Sequence, residues 1–309
     1  MKIGYGVDPL GINHMILSAL SALETANRPD DISFLISFDP RVNYNLEDHK
    51  RTIFNHIDPK KITFSDPHPY FFKAPDGDDP ITTRTRAGII HGLNLDQLIS
   101  ESDDEDLLMC DADTCFLMPG WDDYLMSLYS RDNCPIVGSS MPDGHQQNWE
   151  KFPYIDFCLV HTPTLKNLRI KMCKKFFSGE RDSLAEIGID IPYEGDKWHN
   201  VTKEDSSLWG KAPGKRVFTE TGWKMCYIAK TQGINFQVLP CTSRDHLGPR
   251  SYWYKDTNNA KYVVSHMGNS RKRPFGSPYH IAWINDIGKY WEEESFDFSE
   301  FKRKILRIT

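Results

Sequence analysis

The chain has 309 residues, 39% of them hydrophobic and 12% aromatic, enough to bury a sizeable core in one large α/β domain or in a domain with an appended piece. A net charge of −6 gives no global attraction to nucleic acid or to an anionic membrane, so any polyanion would have to be met by local basic loops. Seven cysteines, odd in number and without a C-x-x-C pair, argue against a disulfide scaffold and suit reduced core residues in the cytoplasm.

Met1–Gly6 does not have the pattern of a signal peptide, and no apolar run reaches membrane-spanning length. Asn200-Val201-Thr202 spells a glycosylation sequon, without a secretory context to support its use.

In chain order, Lys2 to Asp8 reads as a first strand ending in an acid. Ile12, Met15, Ile16, Leu20 and Leu23 follow at helical spacing, and Asn27-Arg28-Pro29 stops that helix. Ile32 to Phe38 is a second strand, Tyr44 to Ile57 a helix and Ile62 to Phe64 a short third strand. This β-α-β-α-β order predicts a parallel sheet with helices packed on it. Asp8 is open to two readings: a hydrogen-bond acceptor for a base or ribose, or a helix N-cap.

Residues 65–80 form a loop. Ile81 to Arg86 then leads into a helix running to about Leu98. Arg84 and Arg86 at a helix start oppose the macrodipole, which suits an anionic partner such as a diphosphate.

Leu107-Leu108-Met109-Cys110 is a short buried strand that runs into Asp111-Ala112-Asp113. Strand residues i and i+2 point the same way, so the two carboxylates converge at the carboxyl edge of the sheet, where open α/β sheets bind ligands. Converging carboxylates repel unless a cation sits between them, and hard oxygen ligands suit Mg²⁺ or Mn²⁺. An Asp after a strand also serves turns, so the pattern alone is open to a structural reading.

Further on, Trp121 to Tyr129 reads as a helix, Pro135 to Gly138 and Tyr154 to Val160 as strands, and Leu165 to Phe177 as a lysine-rich helix. Residues 178–218 carry few periodic signals and are expected to form an acceptor-side insertion or lid. Trp223 to Gln232 is a helix closed by Gly233, and Ile234 to Leu239 a strand. Tyr262 to Ser265 is a last strand, ending in His266 and a basic loop, Gly268 to Phe275. Ile281 to Ile308 is a charged, amphipathic helical tail. His266 can complete a metal site with Asp111 and Asp113, and Lys272 with its arginine neighbours can neutralise phosphate oxygens. Singly, a histidine here can be structural and Arg-Lys-Arg a solvated loop.

These pieces, in this order, resemble the GT-A glycosyltransferases, specifically the retaining family-8 type that includes glycogenin and bacterial lipopolysaccharide galactosyltransferases. The resemblance rests on Gly4-Tyr5-Gly6-Val7-Asp8 and its helix, Thr83 to Arg86, Leu108 to Thr114, and Val264 to Gly268 followed by Lys272 and Pro274-Phe275. It implies a Rossmann-like, mostly parallel sheet flanked by helices, with residues 1–275 as the transferase domain and 276–309 as its helical tail. It also implies that Asp111, Asp113 and His266 hold Mn²⁺ or Mg²⁺ against a nucleotide diphosphate sugar, UDP-linked by preference. Gly6 and Asp8 would face the nucleoside, while Arg86, Gly268 and Lys272 would contact the diphosphate or the sugar. Asp156 and Glu220 fall near the family's sugar-contacting positions and are candidates for a general base or for stabilising an oxocarbenium-like centre. The acceptor is open among a glycan, a protein, a small molecule and a modified DNA base. For the last of these, Arg271-Lys272-Arg273 and Lys211 to Arg216 offer a basic rim. Two other readings share some of these residues. One is a nucleotidyltransferase or sugar-nucleotide hydrolase, for which Pro9-Leu10-Gly11 is a poor phosphate loop. The other is a non-catalytic binding protein, which would have no need of Asp111, Asp113 and His266 together.

Overall fold

The computed structural model describes residues 1–39, 46–66, 87–103, 106–140, 152–245, 250–258, 260–268 and 273–308. Thirteen strands are described: β1 (Lys2–Val7), β2 (Ser33–Phe38), β3 (Ile62–Phe64), β4 (Asp106–Cys110), β5 (Thr114–Phe116), β6 (Ile136–Ser139), β7 (Tyr154–His161), β8 (Trp198–Asn200), β9 (Arg216–Phe218), β10 (Phe236–Leu239), β11 (Cys241–Asp245), β12 (Arg250–Lys255) and β13 (Tyr262–His266).

The fold is mixed α/β. Its main sheet has the order β10-β6-β7-β4-β1-β2-β3. The β3-β2-β1-β4 block and the β10-β6 pair are parallel, and β7 alone runs the other way between them. Every residue of β4 is buried, as a strand covered on both faces requires. The helix Ile12–Thr25 packs Met15, Ile16 and Ala19 into the core that also receives Tyr5, Phe34 and Phe116.

A second, antiparallel sheet of order β11-β12-β13-β5 stands beside the first. The chain passes between the sheets at Asp111-Ala112-Asp113, since β4 belongs to the main sheet and β5 to the smaller one. The helix Pro278–Glu293 closes over this second sheet. Its Trp283 indole donates to Ser265 Oγ (2.8 Å) and its Trp291 indole to the Leu117 carbonyl (2.8 Å).

Between residues 178 and 218 the chain forms the short helices Glu180–Ala185 and Ser206–Trp209 and the β8–β9 hairpin. This segment buries Leu184, Ile189, Ile191, Val201, Trp209 and Val217 against the helix Trp223–Thr231. It is pinned by the buried Lys224–Glu180 ion pair.

The helix expected over Leu165–Phe177 is only Thr162–Asn167. Arg169 turns left-handed at φ +51°, and the amides of Met172 and Cys173 are drawn away to the buried Asp96 carboxylate (2.5 and 3.3 Å). Backbone donors engaged in this way cannot continue a helical ladder. All seven cysteines are unpaired, and five of them are buried. Among the described residues, no helix is long and apolar enough to cross a membrane.

Candidate metal and ligand site

Three segments deliver acids and an imidazole to one point. The first is the turn after β4. β4 ends at Cys110, and Asp111 to Asp113 form a turn, closed by the Thr114 hydroxyl donating to the Asp111 carbonyl. The two carboxylates therefore converge through a turn rather than through strand alternation. The second segment is β13. His266 pairs with Thr114 across the β13–β5 ladder, and the Met267 amide donates to the Asp113 carbonyl (2.8 Å). The third is β7, whose Phe157 pairs with Cys110, while the Asp111 amide donates to the Asp156 carbonyl (2.9 Å).

His266 lies at the centre. Its Nε2 is 3.2 Å from Asp113 Oδ1 and 3.4 Å from Asp111 Oδ2, and its Nδ1 is 3.3 Å from Asp156 Oδ2. Tyr254 Oη sits 3.5 Å from the same Nδ1. Asp111, Asp156 and His266 can each offer one ligand atom within 4.8 Å of the other two.

The electrostatics follow from crowding. Burial disfavours a charged His266 ring, yet Asp113 and Asp156 together hold its pKa well above the usual imidazole range. Burial pushes the Asp113 carboxyl up, but the His266 charge and hydrogen bond overcome this and leave it lowered. Burial and the neighbouring Asp111 charge raise the Asp156 carboxyl, against the pull of His266. The ring and the carboxylates around it thus favour one another's charged forms.

A cleft of about 400 Å³ opens beside the cluster, lined by Gly88, His91, Asp111, Tyr154, Ile155, Asp156, Lys174, Glu220 and Thr221. Glu220 Oε2 accepts from the Tyr154 hydroxyl (3.1 Å), and the Thr221 hydroxyl donates to the Gly88 carbonyl (2.7 Å). His91 Nε2 stands 3.7 Å from Asp111 Oδ1.

Of the residues singled out in the sequence, Asp111, Asp113, His266 and Asp156 share one cluster, and Glu220 lies in the adjoining cleft. Gly268 follows His266 with φ +71°, a conformation that favours glycine, and its carbonyl accepts from Arg273 (2.7 Å). Asp8 caps a short 3₁₀ turn, accepting from the Leu10 and Gly11 amides at 2.9 Å each. Gly6 lies where β1 meets the helix Ala87–Glu101, and a Cβ there would sit 3.1 Å from Asn94 Cβ. Arg84, Arg86, Arg271 and Lys272 lie outside the described residues. His91, Tyr154 and Lys174 were not legible as site residues in the sequence. Only the pairing of β7 with β4 and the packing of residues 172–174 bring them to the cleft.

No protein-family model and no curated protein matches the chain. Among solved structures, the chain is similar to the galactosyltransferase LgtC in complex with donor and acceptor sugar analogs, at 15% identity and a TM-score of 0.46, covering 98% of this chain and 100% of that one. It is similar to the mannosyltransferase PcManGT from Pyrobaculum calidifontis, in complex with GDP-Man and Mn²⁺, at 12% identity and TM-score 0.39, covering 62% of this chain and 54% of that one. It is also similar to the mannosyltransferase Ktr4p from S. cerevisiae, at 11% identity and TM-score 0.36, covering 53% and 56% of the two chains.

Proposed function

We propose that the protein is a metal-dependent glycosyltransferase that moves a sugar from a nucleotide diphosphate sugar, UDP-linked by preference, to an acceptor hydroxyl. The observation that carries this reading is the meeting of Asp111, Asp113, Asp156 and His266 where β4 gives way to β5. Carboxylates crowded around one imidazole form an oxygen-rich, mixed-donor set that fits Mn²⁺ or Mg²⁺.

In this reading Asp111, Asp113 and His266 hold the cation; Asp111, Asp156 and His266 are already close enough to share one ion, and Asp113, which faces His266 Nε2, turns its carboxylate toward Asp111 to join them. A bound divalent cation supplies Lewis-acid stabilisation of the departing nucleoside diphosphate. Asp156 faces the other ring nitrogen, so it fixes the ring orientation and tautomer and makes Nε2 a better donor. Gly6 and Asp8 border the nucleoside, and Arg86, Gly268 and Lys272 contact the diphosphate or the sugar.

Glu220 borders the cleft, with the Tyr154 hydroxyl setting its carboxylate. In a retaining reaction Glu220 offsets the positive charge developing at the anomeric carbon. In an inverting one it takes the proton from the acceptor hydroxyl as the new glycosidic bond forms and the bond to phosphate breaks. Asp156 is the second carboxylate within reach of the sugar. Residues 1–275 make up the transferase domain, 178–218 the acceptor-side insertion and 276–309 the helical tail. Seven unpaired cysteines support a reducing compartment, the cytoplasm.

The test is release of nucleoside diphosphate from a panel of sugar nucleotides, with Mn²⁺ and with chelator. Release that needs the metal and is lost in Asp113→Asn supports the reading. Release indifferent to both would refute the metal role.

A further inference from the structure

The β8–β9 hairpin carries a surface that the donor site does not use. Trp198 is 39% exposed, whereas Trp121, Trp209, Trp223, Trp253, Trp283 and Trp291 are fully buried. The Arg216 guanidinium lies 4.7 Å from the Trp198 ring centroid, and Phe218 supports the ring at 5.3 Å. Trp198, Lys211, Lys215 and Arg216, with Gly210, Ala212 and Gly214, line a concavity of about 590 Å³. No carboxylate is among these lining residues. The patch is therefore locally cationic on a chain whose total charge is −6.

The root of this hairpin is the rim of the cleft. The Thr219 amide donates to the Lys197 carbonyl (3.0 Å), and the Asp196 amide donates to the Thr219 carbonyl (2.8 Å). Asp196 also pairs with Lys174 (2.5 Å), which lines the cleft together with Glu220 and Thr221. β9 ends at Phe218, two positions before Glu220. The strand β9 thus leads to the rim of the cleft.

We infer that this hairpin docks single-stranded nucleic acid and leads a nucleotide of that strand toward the cleft. The second half of this inference rests on the sugar-transfer reading. The ligand class follows from the pairing of two features. A part-exposed indole with a guanidinium over its ring offers a stacking platform for a base, and Lys215 and Arg216 match a phosphodiester backbone. A neutral glycan would use the indole and gain nothing from the charges of Lys215 and Arg216. An acidic peptide would use the cations but bring a flat ring only where an aromatic residue happens to fall, whereas every nucleotide pairs a base with a phosphate. Duplex DNA keeps its base faces stacked, which leaves the single strand.

The experiment is anisotropy titration of a short, labelled, mixed-sequence DNA oligonucleotide with the full chain, without donor or divalent cation. The expected result is binding that weakens steeply with salt. Trp198→Ala and the K215E/R216E double variant should each weaken it by about ten-fold or more, the double variant with a shallower salt dependence. Unfolding curves check the variants, and Lys215→Glu alone, at an exposed position, gives a milder second variant. Absence of binding, variants that bind like the parent, or stronger competition by heparin than by unlabelled single strand would each overturn the inference. Because the titration contains no donor, its outcome is independent of sugar transfer. Turnover of sugar nucleotides by the parent protein judges that reading separately.

Discussion

His266 and Asp113 meet across the β13–β5 ladder, with the imidazole Nε2 3.2 Å from the carboxylate Oδ1 although 153 residues separate them. Their contact is set by strand register: His266 pairs with Thr114, so the residue preceding Thr114 is delivered to the ring. The same imidazole touches Asp111 and Asp156, so a single side chain ties together the carboxyl end of β4, the start of β5 and the first residues of β7.

Asp113→Asn and Asp111→Asn remove carboxylate charge with little change in volume. Each should lower metal-dependent turnover by more than the roughly 10–100-fold that loss of an outer partner of a metal ligand typically costs. Steady-state kinetics across a Mn²⁺ titration measures this. Near-parental turnover in either variant would remove that carboxylate from the metal site.

Asp156→Asn should behave differently. If Asp156 orients His266 through Nδ1, the variant loses about 10–100-fold in apparent metal affinity while saturating metal restores much of the rate. If Asp156 instead takes a proton in the reaction, the loss is in kcat and added metal does not restore it. Rate as a function of metal concentration separates the two roles.

Acid should destabilise the protein partly through His280. Its ring is buried and its Nδ1 accepts from the Gly276 amide (3.1 Å), while His14 stands 5.2 Å away, ring to ring. Burial, then the neighbouring His14, lowers its pKa from 6.5 to about 3. The unfolded chain therefore binds a proton that the folded state refuses. Stability from this residue is present above pH 6.5 and is lost as pH falls toward about 3. Asp96 works in the opposite sense, since burial raises its carboxyl from 3.8 to about 6 and it costs stability as pH rises through that window. Comparing urea midpoints of the parent and His280→Asn from pH 4 to 7 isolates the histidine, with ~5 kcal/mol as the ceiling of its full contribution. Equal pH slopes in the two proteins would contradict this.

Lys224 is fully buried and pairs with Glu180, whose side chain is 10% exposed. Its ammonium also donates to the Lys175 carbonyl (3.1 Å) and lies 4.6 Å from the Phe176 ring centroid. Lys224→Met should cost roughly 3–5 kcal/mol because it strands a buried carboxylate. The double variant K224M/E180Q should recover a large part of that loss in denaturant unfolding. A double variant as unstable as the single would mean that packing of the lysine stem, not charge, dominates.

Much of the architecture was legible because apolar runs punctuated by acids mark buried strands. Lys2 to Asp8, Leu107 to Asp113 and Tyr262 to His266 could each be read locally, and together they name Asp111, Asp113 and His266. What could not be read depends on partners far along the chain. β5 has only three residues, and β11 and β12 are short strands of a second sheet whose pairing no local period records. Asp156 and Asp111 become neighbours only because β7 runs antiparallel to β4 in one register. His91 faces outward from its helix toward Asp111, a direction that no motif announces. The lysine-rich stretch after Leu165 kept a helical pattern in sequence, but the buried Asp96 carboxylate claims its amides.

The measurement that tests the central claim most directly is thermal unfolding with UDP-, GDP-, ADP- and CDP-sugars, each with and without Mn²⁺. A ligand that binds only the folded state raises the melting temperature by mass action. The account predicts a rise for one nucleotide class, UDP first, that appears only with metal and disappears in Asp113→Asn. No rise with any donor, or a rise indifferent to metal, would contradict a metal-held nucleotide sugar at Asp111, Asp113 and His266.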